Sequence, residues 1–309
     1  MWPKAHTSIY RAPEELARIE ALNDKDIFLP MEYIQAIWIP TVIISMIVVY
    51  VVYGLCFVLA NVVLPSDSGV FRRRKLSYQM ASVFGNGFLA ASGLYYEFFT
   101  VSETPTLEDT ISGFQEFYIL SAFQFGYQLW ALPVGIIHAQ ETTAMVVHHF
   151  AVLMVSIFSG CMTNGFRYHI PFFFGMFEIS SVPLVIMNMF KENPTWIEKH
   201  PSFNHHVRVA FAVSFLWIRI VMDFSRAYVY LRDVFILYTS NDSLSYVIFM
   251  SGVFMSSLIL FFLQLWWGWQ IALGLSPAKA TAQAAARPPG PRPAENILFT
   301  LAISRQHGL

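Results

Sequence analysis

Charge is what this sequence has least of. Of its 309 residues only 13% are Asp, Glu, Lys or Arg, whereas 56% are hydrophobic; soluble domains carry about 25% charged and roughly 45–50% apolar residues. The shortage excludes an ordinary water-soluble globule. With a formal net charge of −1 the chain has no basic field to capture nucleic acid, and no nucleic-acid partner is expected. Cysteine is scarce too. Cys56 and Cys161 both lie in apolar runs, which gives no C-x-x-C spacing and no disulfide framework, so both read as packing residues. The first 37 residues are polar and mixed in charge and lack the basic stretch and short apolar core of a cleaved leader. The first apolar span is therefore expected to act as an uncleaved signal. No internal repeat of fixed period is present.

Long apolar runs take the place of what is missing. Crossing a hydrocarbon core of about 30 Å takes roughly 20 apolar residues in a helix, because lipid offers backbone amides no partner. Seven such runs lie near residues 38–63, 77–99, 114–137, 144–163, 170–190, 209–231 and 245–273. The expected fold is all-α, a polytopic bundle of seven transmembrane helices. Gln115, Glu116, Gln124 and Gln128 interrupt the third run, and Glu178, Ser180, Ser181 and Pro183 the fifth. Those polar groups must face protein or water. The organisation expected is an extramembrane segment over 1–37, a first helix and loop over 38–69, a transmembrane domain over 70–275 and a flexible tail over 276–309.

Lys and Arg bias orients the runs. "FRRRK" (Phe71 to Lys75) separates the first two, whereas "TVSETPTLEDTIS" after the second carries only acids. The FRRRK side reads as cytoplasmic, with "KENPTWIEKHPSFNHHVR" and the tail cations Lys279, Arg287 and Arg292 on that same side. The N-terminus is then lumenal or extracellular. Asn241-Asp242-Ser243 is a glycosylation sequon on the outer side, whereas Asn193-Pro194-Thr195 is blocked by its proline. The Ala/Pro/Gly-rich "PAKATAQAAARPPGPRPAE" cannot bury enough apolar surface to order itself. The closing "NILFTLAISRQHGL" is too short to span.

Ionisable groups at membrane depth are functional candidates, since hydrocarbon penalises them. His148 and His149 stand one to two turns inside the fourth run, in "ETTAMVVHHFAVLMVSIFSG". On a regular helix Glu141, Met145 and His148 share a face. His149 is turned about 100° from it, on the side of Thr142 and Ser156. One imidazole can face a cavity while the other bonds to a neighbouring helix; a purely structural pair is the plainer alternative. Glu178, mid-way along the fifth run, needs a partner, and Arg219 at matching depth on the sixth is the natural one. Asp223 and Arg226 follow Arg219 at positions four and seven, a charged stripe that serves either as a structural ion network or as a clamp on a polar substrate group. His200, His205 and His206, with His138, His148 and His149, raise a membrane di-iron hydroxylase as a lesser alternative. Their spacing, with H-x4-HH occurring once, does not repeat as that chemistry requires, so no metal is expected. A seven-helix receptor is the other lesser alternative on topology.

The order of these pieces resembles a known family. "ETTAMVVHH" resembles the D-x-x-x-M-x-x-H-H signature of the TLC-domain superfamily, with Glu141 in the acidic position, Met145 in place and His148-His149 as the pair. "FEISSVPLVIMN" is similar to its E-x-S/T segment, Arg219 to its downstream basic residue, and "FGYQLW" to its Y-D-L segment, which brings in Tyr127 and Gln128. The resemblance spans roughly residues 70 to 275. For ceramide synthases of this superfamily it would imply acyl transfer from acyl-CoA, as co-substrate, to a sphingoid amine, with His148 or His149 as base or acyl acceptor. Here, however, Phe177-Glu178-Ile179-Ser180-Ser181 stands where those enzymes carry an H-D-V-S-D-like segment, and Gln128 replaces an aspartate. The chain is closer to the non-synthase TLC-domain proteins. The resemblance then implies a protein that binds or processes a membrane lipid (sphingolipid, fatty acyl or phospholipid) in an intramembrane cavity, with His148, His149, Glu178, Arg219, Asp223, Tyr127 and Gln128 around it. By analogy it would reside in the endoplasmic reticulum.

Overall fold

The computed structural model describes residues 31–100, 117–162, 167–239 and 244–274. Asn241, the first 30 residues and the tail with its closing stretch lie outside the described residues. Within them the chain forms seven long helical segments, one short α-helix and a 3₁₀ turn at Arg167–His169. Helix α1 is Met31–Val63 and α2 is Val70–Phe99. Helix α3 is Tyr118–Val134 and runs on as a π-helical turn, Gly135–Ala139. Helix α4 is Thr143–Ile157, with a π-helical turn at Phe158–Met162. Then come α5, Pro171–Glu192, and the short α6, Pro194–Lys199. Helix α7 starts as Pro201–Ser214, turns π-helical over Phe215–Met222 and continues as Asp223–Thr239. Helix α8 is Leu244–Gly274. No strand occurs among the described residues.

Each long helix coincides with most or all of one expected apolar run. Helices α1, α2 and α7 begin well before their runs, because helical hydrogen bonding continues past the apolar stretch. Thus α1 begins at Met31, FRRRK forms the opening turns of α2, and the polar "KENPTWIEKHPSFNHHVR" holds α6 and the start of α7. By length and composition α1, α5 and the Val247–Gly274 part of α8 are apolar enough to cross a membrane. The other long helices have lower hydropathy because they carry amides, hydroxyls and charges, and these point inward. Gln79, Ser82 and Asn86 of α2, Ser121, Gln124 and Gln128 of α3, and Arg219 and Asp223 of α7 are all buried. Large apolar side chains point out instead, with Leu55 65%, Val62 79% and Trp269 64% exposed. A bundle with polar groups inside and bare aliphatic groups outside suits lipid, where apolar exposure carries no penalty.

Packing is closest where side chains are smallest. Helix α2 lies along α5, and the backbones meet at Gly93 and Gly175, where a Cβ on either glycine would collide with the other. Further back along α2 an aromatic core forms from Tyr78, Trp130 and Tyr127, with Tyr78 stacked on Trp130 at 5.2 Å. The FRRRK cations tie the helix ends together. Arg72 donates to Asn193 Oδ1 at 2.8 and 3.2 Å, which pins the α5–α6 junction. Arg73 donates to the Pro65 and Ser66 carbonyls beyond α1, and Lys75 pairs with Glu192 at 2.9 Å.

Gly93→Leu should push α2 from α5 and destabilise the bundle by roughly 1–3 kcal/mol or more, as overpacking does. Thermal unfolding of the purified protein should show a lowered midpoint. Gly54→Ala, at a position with nothing within 4 Å of the new methyl, should leave the midpoint in place.

Candidate functional site

A sharp turn sets up the histidines. Gln140 is the one non-glycine residue with positive φ among those described, at 52°, and it ends the π-helical turn of α3. Thr142 then caps α4, its hydroxyl accepting from the Met145 amide at 3.4 Å. This places Glu141, Met145, His148 and His149 on one wall of a chamber of about 210 Å³. The two imidazoles therefore share a chamber, where the helical wheel put them on different sides. They reach it at different depths. His149 is buried, and its Nδ1 donates to Gln128 Oε1 of α3 at 2.7 Å. An amide oxygen only accepts, so Nδ1 carries the proton and the partnerless Nε2 keeps its lone pair. The His148 ring lies 5.6 Å from that of His149 and 5.4 Å from Trp267 of α8.

Arg219 holds α5 against α7. Its Nε donates to Ser180 Oγ at 2.7 Å and the Phe177 carbonyl at 3.2 Å, and its Nη2 to Ser181 Oγ at 2.7 Å and the same carbonyl at 2.8 Å. Glu178 Oε2 completes the set at 3.7 Å. The guanidinium also lies over the Phe177 ring at 5.1 Å. With so many donors engaged by protein, Arg219 serves as a cross-brace more than as a clamp on a ligand. The expected charged stripe divides at this point. Arg226, seven residues on, pairs with Glu97 of α2 and lies over the Tyr168 and Phe172 rings, at 5.5 and 5.4 Å. The π-helical stretch over Phe215–Met222 adds an amide to its hydrogen-bonded turn and rotates the later residues of α7 off the regular wheel.

A second, narrower chamber of about 80 Å³ adjoins the first. The two share His148, Glu178 and Arg219 as walls. Tyr127 and Gln128 line the wide one and Asp223 the narrow one. The wide chamber is rich in polar groups, whereas phenylalanines and aliphatic side chains such as Phe173, Phe174, Phe261 and Leu260 dominate the narrow one. Sequence reasoning passed over Trp267, Gln124 and Gln264 as lining residues; the isolated amide of "FFLQLWW" carries the same signal as Glu178, a polar group alone in an apolar run. His205 and His206 stand exposed on α7, away from the membrane pair. Among the described residues no three His, Cys, Asp or Glu side chains gather as a metal site requires.

Lys75 and Glu192, paired with each other, both line the wide chamber. Glu141 lines it in the α3–α4 turn, where burial pushes its carboxyl from an ordinary 4.5 to about 7; Lys75 opposes the shift and Glu192 adds to it. A raised acid favours the fold while protonated, so this contribution is complete below pH 4.5 and fades as pH climbs towards 7. Glu141→Gln should therefore unfold at a higher temperature than wild type at pH 8, with the gap closing towards pH 5. Thermal midpoints across that range provide the check.

No curated protein and no solved structure matches the chain. The TLC domain does, over residues 75–273, from the last FRRRK cation to the final turn of α8, leaving α1 outside the matched region. The chain therefore belongs to the TLC-domain family and is an integral membrane protein concerned with lipid.

Proposed function

We propose that this protein binds one amphiphilic membrane lipid inside its bundle, head in the wide polar chamber and chain directed into the narrow apolar one. The observation that carries the reading is the junction of the two chambers at His148, Glu178 and Arg219. A site that is wet on one side and apolar on the other matches a molecule with the same division. Lipid would enter from the FRRRK end, which charge bias makes cytoplasmic. Gln128 supports binding over base catalysis. A carboxylate there would stabilise an imidazolium at His149, whereas the amide only fixes the tautomer.

One feature favours acyl transfer as a second reading. His149 Nε2 keeps a lone pair within the chamber wall, the arrangement of an imidazole nucleophile. With acyl-CoA as co-substrate, Nε2 would attack the thioester carbonyl and release the thiolate; a lipid amine would then take the acyl group from Nε2, its proton passing to the thiolate as the free imidazole is restored.

Protein purified in a mild detergent should carry one amphiphile enriched over bulk lipid by mass spectrometry. His149→Ala should weaken its retention about tenfold, the ~1.4 kcal/mol of one lost buried hydrogen bond. Bound lipid and host lipid profile unchanged in both His148→Ala and His149→Ala, at normal protein level, would remove the reading. Intact mass separates the two versions: an acyl adduct on wild type that disappears in His149→Ala marks transfer, and its absence marks binding.

A further inference from the structure

Four cations stand in a row in FRRRK, and three of them are engaged by protein. Arg72 holds Asn193, Arg73 holds the Pro65 and Ser66 carbonyls, and Lys75 holds Glu192. Arg74 is exposed and has no hydrogen-bond or ion-pair partner among the described residues. Successive residues of a helix point about 100° apart. Lys75 lines the wide chamber, whereas Arg74 lines neither chamber.

Packing shows what Arg74 faces instead. Tyr78, one turn further along α2, is stacked on Trp130, and Trp130 meets Tyr53 of α1 edge-on at 6.0 Å. The Tyr53 hydroxyl in turn lies 3.0 Å from Nδ1 of His138, in the π-helical turn that closes α3, and the two rings stack within 12° of parallel. Arg74 is within electrostatic reach of both Tyr53 and His138, and among the described residues it is the one charge acting on them. A phenol and a neutral imidazole hold two acidic protons between them and use one for their mutual hydrogen bond. Whichever group donates, the second proton stays free for a further acceptor, on Nε2 or on the phenol oxygen. Three helices thus bring a guanidinium and a neutral donor together with no acid to neutralise them, which is the chemistry of a phosphate site. Apolar side chains border it. Ile136 and Ile137, beside His138, and Tyr50, one turn from Tyr53, are all exposed.

We propose that Arg74, Tyr53 and His138 bind the phosphate head of one anionic phospholipid at the rim of the bundle, its tails lying along α1 and α3. Basic niches between spanning helices take such heads. The bordering isoleucines match acyl tails, which a free phosphate ion lacks. Tyr53 and Arg74 both precede the region matched by the TLC domain, so membership of that family does not by itself supply the site. A head bound there would bridge α1, α2 and α3 and fasten α1 to the matched domain. Because Arg74, Tyr53 and His138 line neither chamber, the inference stands apart from the lipid reading above.

The test is thermal unfolding of the full chain in dodecylmaltoside, with dioleoyl phosphatidic acid or phosphatidylserine titrated in parallel with phosphatidylcholine. The anionic lipids should raise the wild-type midpoint saturably, and phosphatidylcholine should not. Arg74→Gln should raise the lipid fraction needed for half the shift about fivefold, as loss of one cation beside an anionic head implies. The double variant Tyr53→Phe with His138→Phe, which keeps both rings and removes the donors, should also raise it. Lys199→Gln, at an exposed cation of α6, should leave it unchanged. An equal loss in Lys199→Gln would mean diffuse attraction to anionic micelles and would overturn the site. The same response to phosphatidylcholine, or an undiminished one in Arg74→Gln or the double variant, would overturn it too. A shift reproduced by inorganic phosphate or glycerol phosphate would overturn the lipid as occupant.

Discussion

Hydrocarbon supplies no hydrogen-bond partner, so every charge and amide on the inner helices has to find one inside the bundle. That requirement shapes most of what is distinctive here. It turns the polar faces of α2, α3, α5 and α7 inward and leaves the bare aliphatic surfaces of α1 and α8 outside. It also explains why the charges appear as matched couples on different helices. Glu178 with Arg219 joins α5 to α7, and Glu97 with Arg226 joins α2 to α7. Such couples contribute less to net stability than to register, since each ion loses hydration on burial, but breaking one leaves an uncompensated charge.

The chambers arise from the same inward turn. Where polar side chains converge from several helices they cannot pack as tightly as aliphatic ones, and the space left between them is lined by hydrogen-bonding groups. Gln128 and His149 settle each other's orientation, while Arg219 is immobilised by two serines and a carbonyl. A wall already braced in this way is preorganised, so a ligand entering it need not order those side chains itself. The amide at position 128 provides that order without placing a charge beside His149.

The FRRRK stretch shows one set of residues under two demands. Its charge is the bias from which a cytoplasmic side is proposed. Its side chains also fasten the ends of α1, α2 and α5 through Asn193, the Pro65 and Ser66 carbonyls and Glu192. The last of its cations, Lys75, lines the wide chamber, where it acts on Glu141.

Hydropathy by itself determined the helical class, the long segments and the depth of each polar residue, because a hydrocarbon slab of fixed thickness reads length and polarity directly from the chain. Depth was enough to match Glu178 with Arg219 from the sequence. Azimuth was not. Whether His148 and His149 share a space, whether Arg226 belongs with Arg219 or with Glu97, and which of the FRRRK cations is left facing α1 depend on how helices rotate about their axes. That rotation is set by distant contacts such as Gly93 against Gly175 and by π-helical turns within α3, α4 and α7. A π-helical turn shifts every later side chain around the axis, and no regular period announces it in the sequence. Only the packed tertiary structure could decide those questions.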